Sequence, residues 1–348
     1  MRSNLSTDPK KIAIFRALNL GDLLCAIPAV RALRARYPNA NITLIGLPSM
    51  ADLAQRFSKY FDSFASFPGV PGLPEQSFDP EAFVQFLQRE RQEHYDLVLQ
   101  MHGKGAITNS LVCMLGARRY AGYFDPGAFC PDATKFMPYP EGIPEVRRHL
   151  KLMQFLGIAP KGEAIEFPIT PDECAQLDVL SARHGFGRQQ YVCIHPGARD
   201  VRRWWAPDKF AQVADVLASR GNTVVFTGTA DEHDGVQRVQ EKMSRSSINL
   251  AGETDLGVLA ALIGRARLLV SNDTGVSHLA AAMGTPSVVI FLTSDPARWA
   301  PLDRERHRIV HSDEPDDVGD VLFHVDRVLK APFPDAMGYQ NAQGPGVA

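Results

Sequence analysis

Four short stretches carry polar side chains beside glycine or alanine at spacings that suit chemistry. The first, Asn19-Leu20-Gly21-Asp22, puts a carboxylate between the apolar run Lys11 to Phe15 and an Ala/Leu-rich segment. A carboxylate at such a turn points into the cleft beyond the strand ends, or serves as a helix N-cap. The second, Ser271-Asn272-Asp273-Thr274-Gly275, leads into Val276 to Met283. Free N–H groups at Thr274, Gly275 and Val276, at the positive end of a helix, form an anion site suited to a diphosphate. Thr274 and His278 are four apart and share one helix face. The competing reading makes Asp273 a cap and His278 a surface histidine. The third, His195-Pro196-Gly197-Ala198, runs on into Arg199-Asp200-Val201-Arg202-Arg203-Trp204-Trp205. Small residues at Gly197 and Ala198 let a phosphate approach the backbone, and arginine supplies forked donors. A solvated basic loop is the alternative. The fourth, Thr227 to Glu232, places a carboxylate where a ribose diol can donate or where a helix needs a cap.

All four follow runs that read as buried strands. Lys11 to Phe15, Asn41 to Ile45 and Asp96 to Leu99 are the strands of the first half, with helices over 23–37, 51–57 and 80–93. The alternation restarts after Thr170-Pro171. Strands are expected over 191–195, 222–227, 267–271 and 287–292, and helices over 207–220, 234–243, 256–264 and 276–283. This βα alternation implies parallel sheets covered by helices on both faces, an α/β fold of two Rossmann-like doubly wound domains facing across a cleft. The expected boundaries are 1–165 and 166–330, with the last helix, 318–330, packing back on the first domain and 331–348 a flexible tail. Residues 67–80 and 121–145, broken by proline and glycine, read as loops. Ligands of such sheets lie beyond the carboxyl ends of the strands, where the four turns fall.

Composition narrows the chemistry. With 45% hydrophobic and 22% charged residues in 348, the chain has the balance of a folded globular protein. Its net charge of −2 argues against a nucleic-acid partner. Apolar runs such as Val288 to Leu292 are far too short to span a bilayer, and the polar start lacks a signal-peptide core, so a cytoplasmic location is expected. Five scattered cysteines without a C-x-x-C pair read as reduced thiols. No G-x-G-x-x-G, Walker A or G-x-S-x-G occurs, which disfavours dinucleotide enzymes, P-loop NTPases and α/β-hydrolases. No D-x-D or metal-ligand spacing occurs either, so no metal or other cofactor is expected.

Over NLGDLLCAIPAVRAL (Asn19 to Leu33), His195 to Phe210, Phe226 to Glu232, Leu250 to Ile263 and NDTGVSHLAAAMGTP (Asn272 to Pro286), the sequence resembles glycosyltransferase family nine, the lipopolysaccharide heptosyltransferases. The resemblance implies a GT-B fold and an inverting, metal-independent transfer of heptose from ADP-heptose to the lipopolysaccharide inner core. Carried over by position, Asp22 is the general base at the acceptor hydroxyl. Arg203, or its neighbour Arg202, meets the diphosphate where the family usually has lysine. Ala198 lies in the phosphate turn, Glu232 holds the ribose, and Thr254 and Leu256 lie near the adenine. Asp273, Thr274, Gly275 and His278 line the donor phosphates and sugar. Gln100-Met101-His102-Gly103-Lys104 departs from the family's acidic residue and Gln-Gly. Another nucleotide sugar, a GT-B sugar-nucleotide epimerase and a catalytically silent nucleotide-sugar-binding protein remain alternatives.

An anionic, lipid-linked saccharide acceptor calls for cations in the first half and peripheral contact with the inner-membrane surface at its cytoplasmic face. Lys104, Arg118 and Arg119 are the acceptor-binding candidates, with Lys59, Arg147, Arg148 and Lys151 as further cations. Phe57, Tyr60 and Phe61 are the expected apolar neighbour.

Overall fold

The computed structural model describes residues 8–187, 190–312 and 317–331, and the chain divides into two compact units, 1–168 and 169–348. From residue 332 the expected tail lies outside the described residues.

The first unit runs β1 (Lys11–Phe15), α1 (Leu20–Arg36), β2 (Asn41–Gly46), α2 (Ala51–Arg56), β3 (Ser63–Ser66), α3 (Pro80–Gln92), β4 (Leu97–Gln100), α4 (Thr108–Met114), β5 (Tyr120–Phe124), β6 (Phe136–Pro138) and α5 (Glu145–Phe155). Its six strands are all parallel, in the order β3-β2-β1-β4-β5-β6. β1 is central, with Ile12 registered against Ile42 on one side and Leu97 on the other. Helices cover both faces, so β1 reads as an unbroken apolar run instead of alternating. The loop expected over 121–145 is corrected: it holds most of β5 and the short edge strand β6, which ends in Pro138, as edge strands tolerate. Phe57, Tyr60 and Phe61, expected at a membrane face, are buried in this unit.

The second unit runs α6 (Pro171–His184), β7 (Tyr191–His195), α7 (Pro207–Ser219), β8 (Thr223–Phe226), α8 (His233–Gln240), β9 (Ile248–Asn249), α9 (Leu256–Arg265), β10 (Leu269–Asn272), α10 (Gly275–Met283), β11 (Ser287–Phe291), α11 (Pro296–Trp299), β12 (His307–His311) and α12 (Asp317–Lys330). α6 opens on a capping box, in which Thr170 accepts from the Glu173 N–H and Glu173 accepts from the Thr170 N–H, with Pro171 in the first turn. The sheet is again all parallel, in the order β9-β8-β7-β10-β11-β12. The last helix, α12, contributes to the core of its own unit. Its apolar stripe Val321, Val325 and Val328 joins the core formed by Val192, Ile194, Val224, Val270 and Val288. Among the described residues no helix is long and apolar enough to cross a membrane.

Both sheets therefore follow one winding order, counted outward from the first strand of each unit. The winding direction reverses between β1 and β4 in one, and between β7 and β10 in the other. Loops leaving the two strands at such a point diverge and open a crevice at their carboxyl ends.

Candidate active site

In the first unit, α1 starts at Leu20 with Asn19 at its N-cap, so Asp22 is in the first turn and is not the cap considered from the sequence. Its side chain is 19% exposed. Arg16, one residue past β1, is buried and joins four segments. Its Nε donates to the Asp22 carbonyl at 2.9 Å and its Nη1 to the Met101 carbonyl beyond β4. Its Nη2 lies 3.7 Å from Asp22 Oδ1 and 3.3 Å from Glu145 Oε1 at the head of α5. Glu145 also accepts from Arg148 and faces His149 Nε2 at 3.2 Å. Two buried cations and two carboxylates thus offset one another, as burial of charge requires. His149 is pushed down to about 4 by burial and Arg16, against the opposing pull of Glu145. His102, just past β4, is likewise pushed down to about 4 by burial and by Arg16. Both are neutral imidazoles at neutral pH.

In the second unit the turns after β7 and β10 are tied together. Asn272 Nδ2 donates to the Pro196 carbonyl at 2.6 Å, and Asn272 Oδ1 accepts from the Trp205 N–H at 3.1 Å. Trp204 Nε1 donates to the Ala198 carbonyl at 2.6 Å. Arg203 Nη1 donates to the Asp273 carbonyl at 3.4 Å and lies 3.6 Å from its Oδ2. Thr274 is the N-cap of α10 and makes no side-chain capping bond, so the first N–H groups of that helix carry no such partner. Asp273 is not the cap either: its carboxylate accepts from Ser294 Oγ. His278 is buried, not a surface histidine, with its ring 6.4 Å from that of Trp299.

Glu232 completes a capping box with Thr229, accepting from its N–H at 2.8 Å. The same carboxylate lies against Gly197, where an added Cβ would stand 2.2 Å from Glu232 Oε1, so any larger residue there would have to displace the carboxylate. His195 Nδ1 pairs with Thr227 Oγ1 at 3.0 Å, and burial pushes its pKa down while Glu232 pulls the other way. Gly252, at φ +83, donates to the Gly228 carbonyl at 3.0 Å and sets the segment leading to Thr254 against the Glu232 turn. Leu256 opens α9, which Asp255 caps through the Val258 N–H.

The structure thus brings Ala198, Arg203, Glu232, Thr254, Leu256, Asp273, Thr274, Gly275 and His278 to one edge of the second sheet. The two arginines left open by the sequence part company. Arg203 is 37% exposed and faces the β10 turn, whereas Arg202 is 77% exposed and locked to Asp200 by bonds of 2.7 to 3.1 Å.

The basic acceptor group is not brought together. Arg118 and Arg119 precede β5 and pair with Asp96, which precedes β4, so they lie at the amino edge of the first sheet. Lys104 follows β4 at the carboxyl edge, on the side of Asp22, and pairs with Glu141. Strands running parallel put residues before and after them at opposite edges. Lys59 and Arg147 are engaged by Glu166 and Glu163, and Arg148 is buried. Arg16 and Glu145 are not among the residues singled out from sequence, and Asn272 is named there only as part of its motif. An arginine ending a buried strand, and the i, i+3, i+4 spacing of Glu145, Arg148 and His149, were the available signals.

Two doubly wound units thus carry a carboxylate at the reversal point of one and an arginine with a helix N-terminus at the equivalent place of the other. The chain belongs to glycosyltransferase family 9 (heptosyltransferase), whose family model matches residues 83–318. It is 27% identical over 293 residues to lipopolysaccharide heptosyltransferase 3 of Escherichia coli K12, covering 81% of this chain and 82% of the relative. Among solved structures, its fold matches that of E. coli ADP-heptose lps heptosyltransferase II with a TM-score of 0.72 at 20% identity, over 92% of this chain and 98% of that one. E. coli heptosyltransferase WaaC, solved with ADP, matches with a TM-score of 0.68 at 15% identity, over 91% and 99% of the two chains.

Proposed function

We propose that this enzyme transfers heptose from ADP-heptose to the inner core of lipopolysaccharide, with inversion at the anomeric carbon and without a metal ion. The observation that carries the donor side is the convergence of Arg203 and the uncapped start of α10 on one turn, which suits a diphosphate leaving group. The nucleotide named for the WaaC structure is ADP. Asp22 is the base. Its carboxylate accepts the proton of the acceptor hydroxyl as that oxygen bonds to the anomeric carbon, and the bond from that carbon to the diphosphate oxygen breaks on the opposite face. ADP leaves with the electron pair, its charge met by Arg203 and the N–H groups of Thr274 and Gly275. Glu232 accepts from the ribose, with Thr254 and Leu256 beside the adenine, while Asp273 and His278 line the phosphates and sugar.

The test is transfer from ADP-heptose to heptose-deficient lipopolysaccharide in EDTA, with the anomeric configuration of the product read by NMR. An inverted linkage formed at full rate in EDTA is expected. A retained configuration, or activity that returns only with Mg²⁺ or Mn²⁺, overturns the mechanism. Donor conversion without acceptor would identify an epimerase instead.

A further inference from the structure

Asp317 opens α12 and is distant in sequence from the four turns, yet it is 1% exposed. Its Oδ2 accepts from Trp205 Nε1 at 2.7 Å, Lys209 Nζ at 2.7 Å and Ser312 Oγ at 2.8 Å. Burial alone raises its pKa, but these three donors outweigh burial and hold it below the usual carboxylate value. It is therefore an anion throughout the neutral range. The indole it holds is itself buried, packed edge-on against Phe210 with ring centres 5.0 Å apart. The backbone N–H of the same Trp205 donates to Asn272 Oδ1, which places the tryptophan between α12 and the end of β10. Arg203 stands two residues earlier, at the end of a single 3-10 turn, Val201–Arg203. A short turn fixed at its exit has little freedom, so the tryptophan anchor sets where the guanidinium reaches the β10 turn.

We propose that Asp317 and Trp205 are positioning residues for the donor: the buried carboxylate fixes the indole, the tryptophan is pinned to Asn272, and Arg203 is thereby held at the diphosphate. This rests on the reading of the second unit as the ADP-bearing side. A purely architectural role for Asp317 would lower thermal stability and leave ADP affinity untouched. Positioning links the two residues in one chain of contacts, so their losses must be non-additive.

Calorimetric titration of ADP into the full chain decides between them, using the wild type, Trp205→Phe, Asp317→Ala, the double variant and Ser312→Ala. Trp205→Phe keeps an aromatic ring beside Phe210 and removes the indole donor without leaving a buried charge unpaired by a missing carboxylate, so it serves alone if Asp317→Ala does not fold. Each single change is expected to weaken ADP about tenfold, the scale of one hydrogen bond to a charged group. The double variant is expected to bind no more weakly than the worse single one. Ser312→Ala, which removes a donor without touching the tryptophan, is expected to keep wild-type affinity. Wild-type ADP affinity in Trp205→Phe, or multiplicative losses in the double variant, overturns the proposal. Failure of the wild type to bind ADP overturns the donor reading itself, and that is visible before any variant is compared.

Discussion

The two units share one strand order and use the same place in it, yet they furnish it with opposite chemistry. In the first, the ends of β1 and β4 are joined by Arg16, a buried cation whose contacts are the Asp22 and Met101 carbonyls and the carboxylates of Asp22 and Glu145. In the second, the ends of β7 and β10 are joined by Asn272, a neutral amide that bonds Pro196 and Trp205. The difference fits the tasks proposed. A group that accepts a proton needs fixed charges to hold it in place. A site for a diphosphate needs unspent N–H groups, small residues and an arginine whose contacts, like those of Arg203 to the Asp273 carbonyl and carboxylate, are long. One topology serves both because the reversal point supplies a crevice and leaves the side chains free to differ.

The sharpest way to break this comparison is Asp22→Asn, which is expected to lower kcat by ~10²–10⁴-fold, the usual worth of a general base. ADP binding, measured by calorimetry, should stay at the wild-type value. Near-normal turnover would reduce Asp22 to a helix-end carboxylate. Next in size, Arg203→Ala is expected to cost roughly 10–100-fold in kcat/KM for the donor, the scale of a charge-assisted hydrogen bond. Arg202→Ala, already tied to Asp200, should stay close to wild type, and equal losses would erase the distinction drawn between them.

Acid is expected to narrow the contrast, because both units bury neutral histidines. His102 and His149 in the first and His307 in the second are pushed from 6.5 down to about 4, in each case chiefly by burial. The unfolded chain then binds protons that the folded chain does not, so stability is complete above about 6.5 and is lost as pH falls towards about 4. By pH 5 each histidine is expected to withdraw about 2 kcal/mol. Thermal melts at pH 7.5 and 5 measure this, and an unchanged melting temperature would contradict it. The smallest effect belongs to Arg118→Ala with Arg119→Ala. Because both precede β5, the acceptor KM is expected to be unchanged, whereas Lys104→Ala, at the edge of Asp22, should raise it. A rise with the Arg118 and Arg119 pair alone would move the acceptor to the other end of the sheet.

Much of this architecture was written locally. KIAIF, YVCIH and SVVIF are short apolar runs of the kind that strands covered on both faces carry, and all three fold as strands. The start of α6 at Thr170-Pro171-Asp172-Glu173 is also set by contacts within four residues, although the helix itself is not among those expected. The polar turns after β1, β7, β8 and β10 stood out because their spacing is short-range, and the family motifs lay on those turns. What the sequence left open depended on which distant segments meet. Arg202 and Arg203 are adjacent and chemically identical, and only the position of Asp200 and of the β10 turn separates them. Lys104 and Arg118 look like one basic group in the sequence, yet strand direction sends them to opposite edges. Arg16 finds Glu145 across 129 positions, and Trp205 finds Asp317 across 112. Local propensity and periodicity are set by neighbours a few residues away, so sequence reveals them. Pairing of buried charges is set by chain crossings, and only the tertiary structure decides which carboxylate meets which cation.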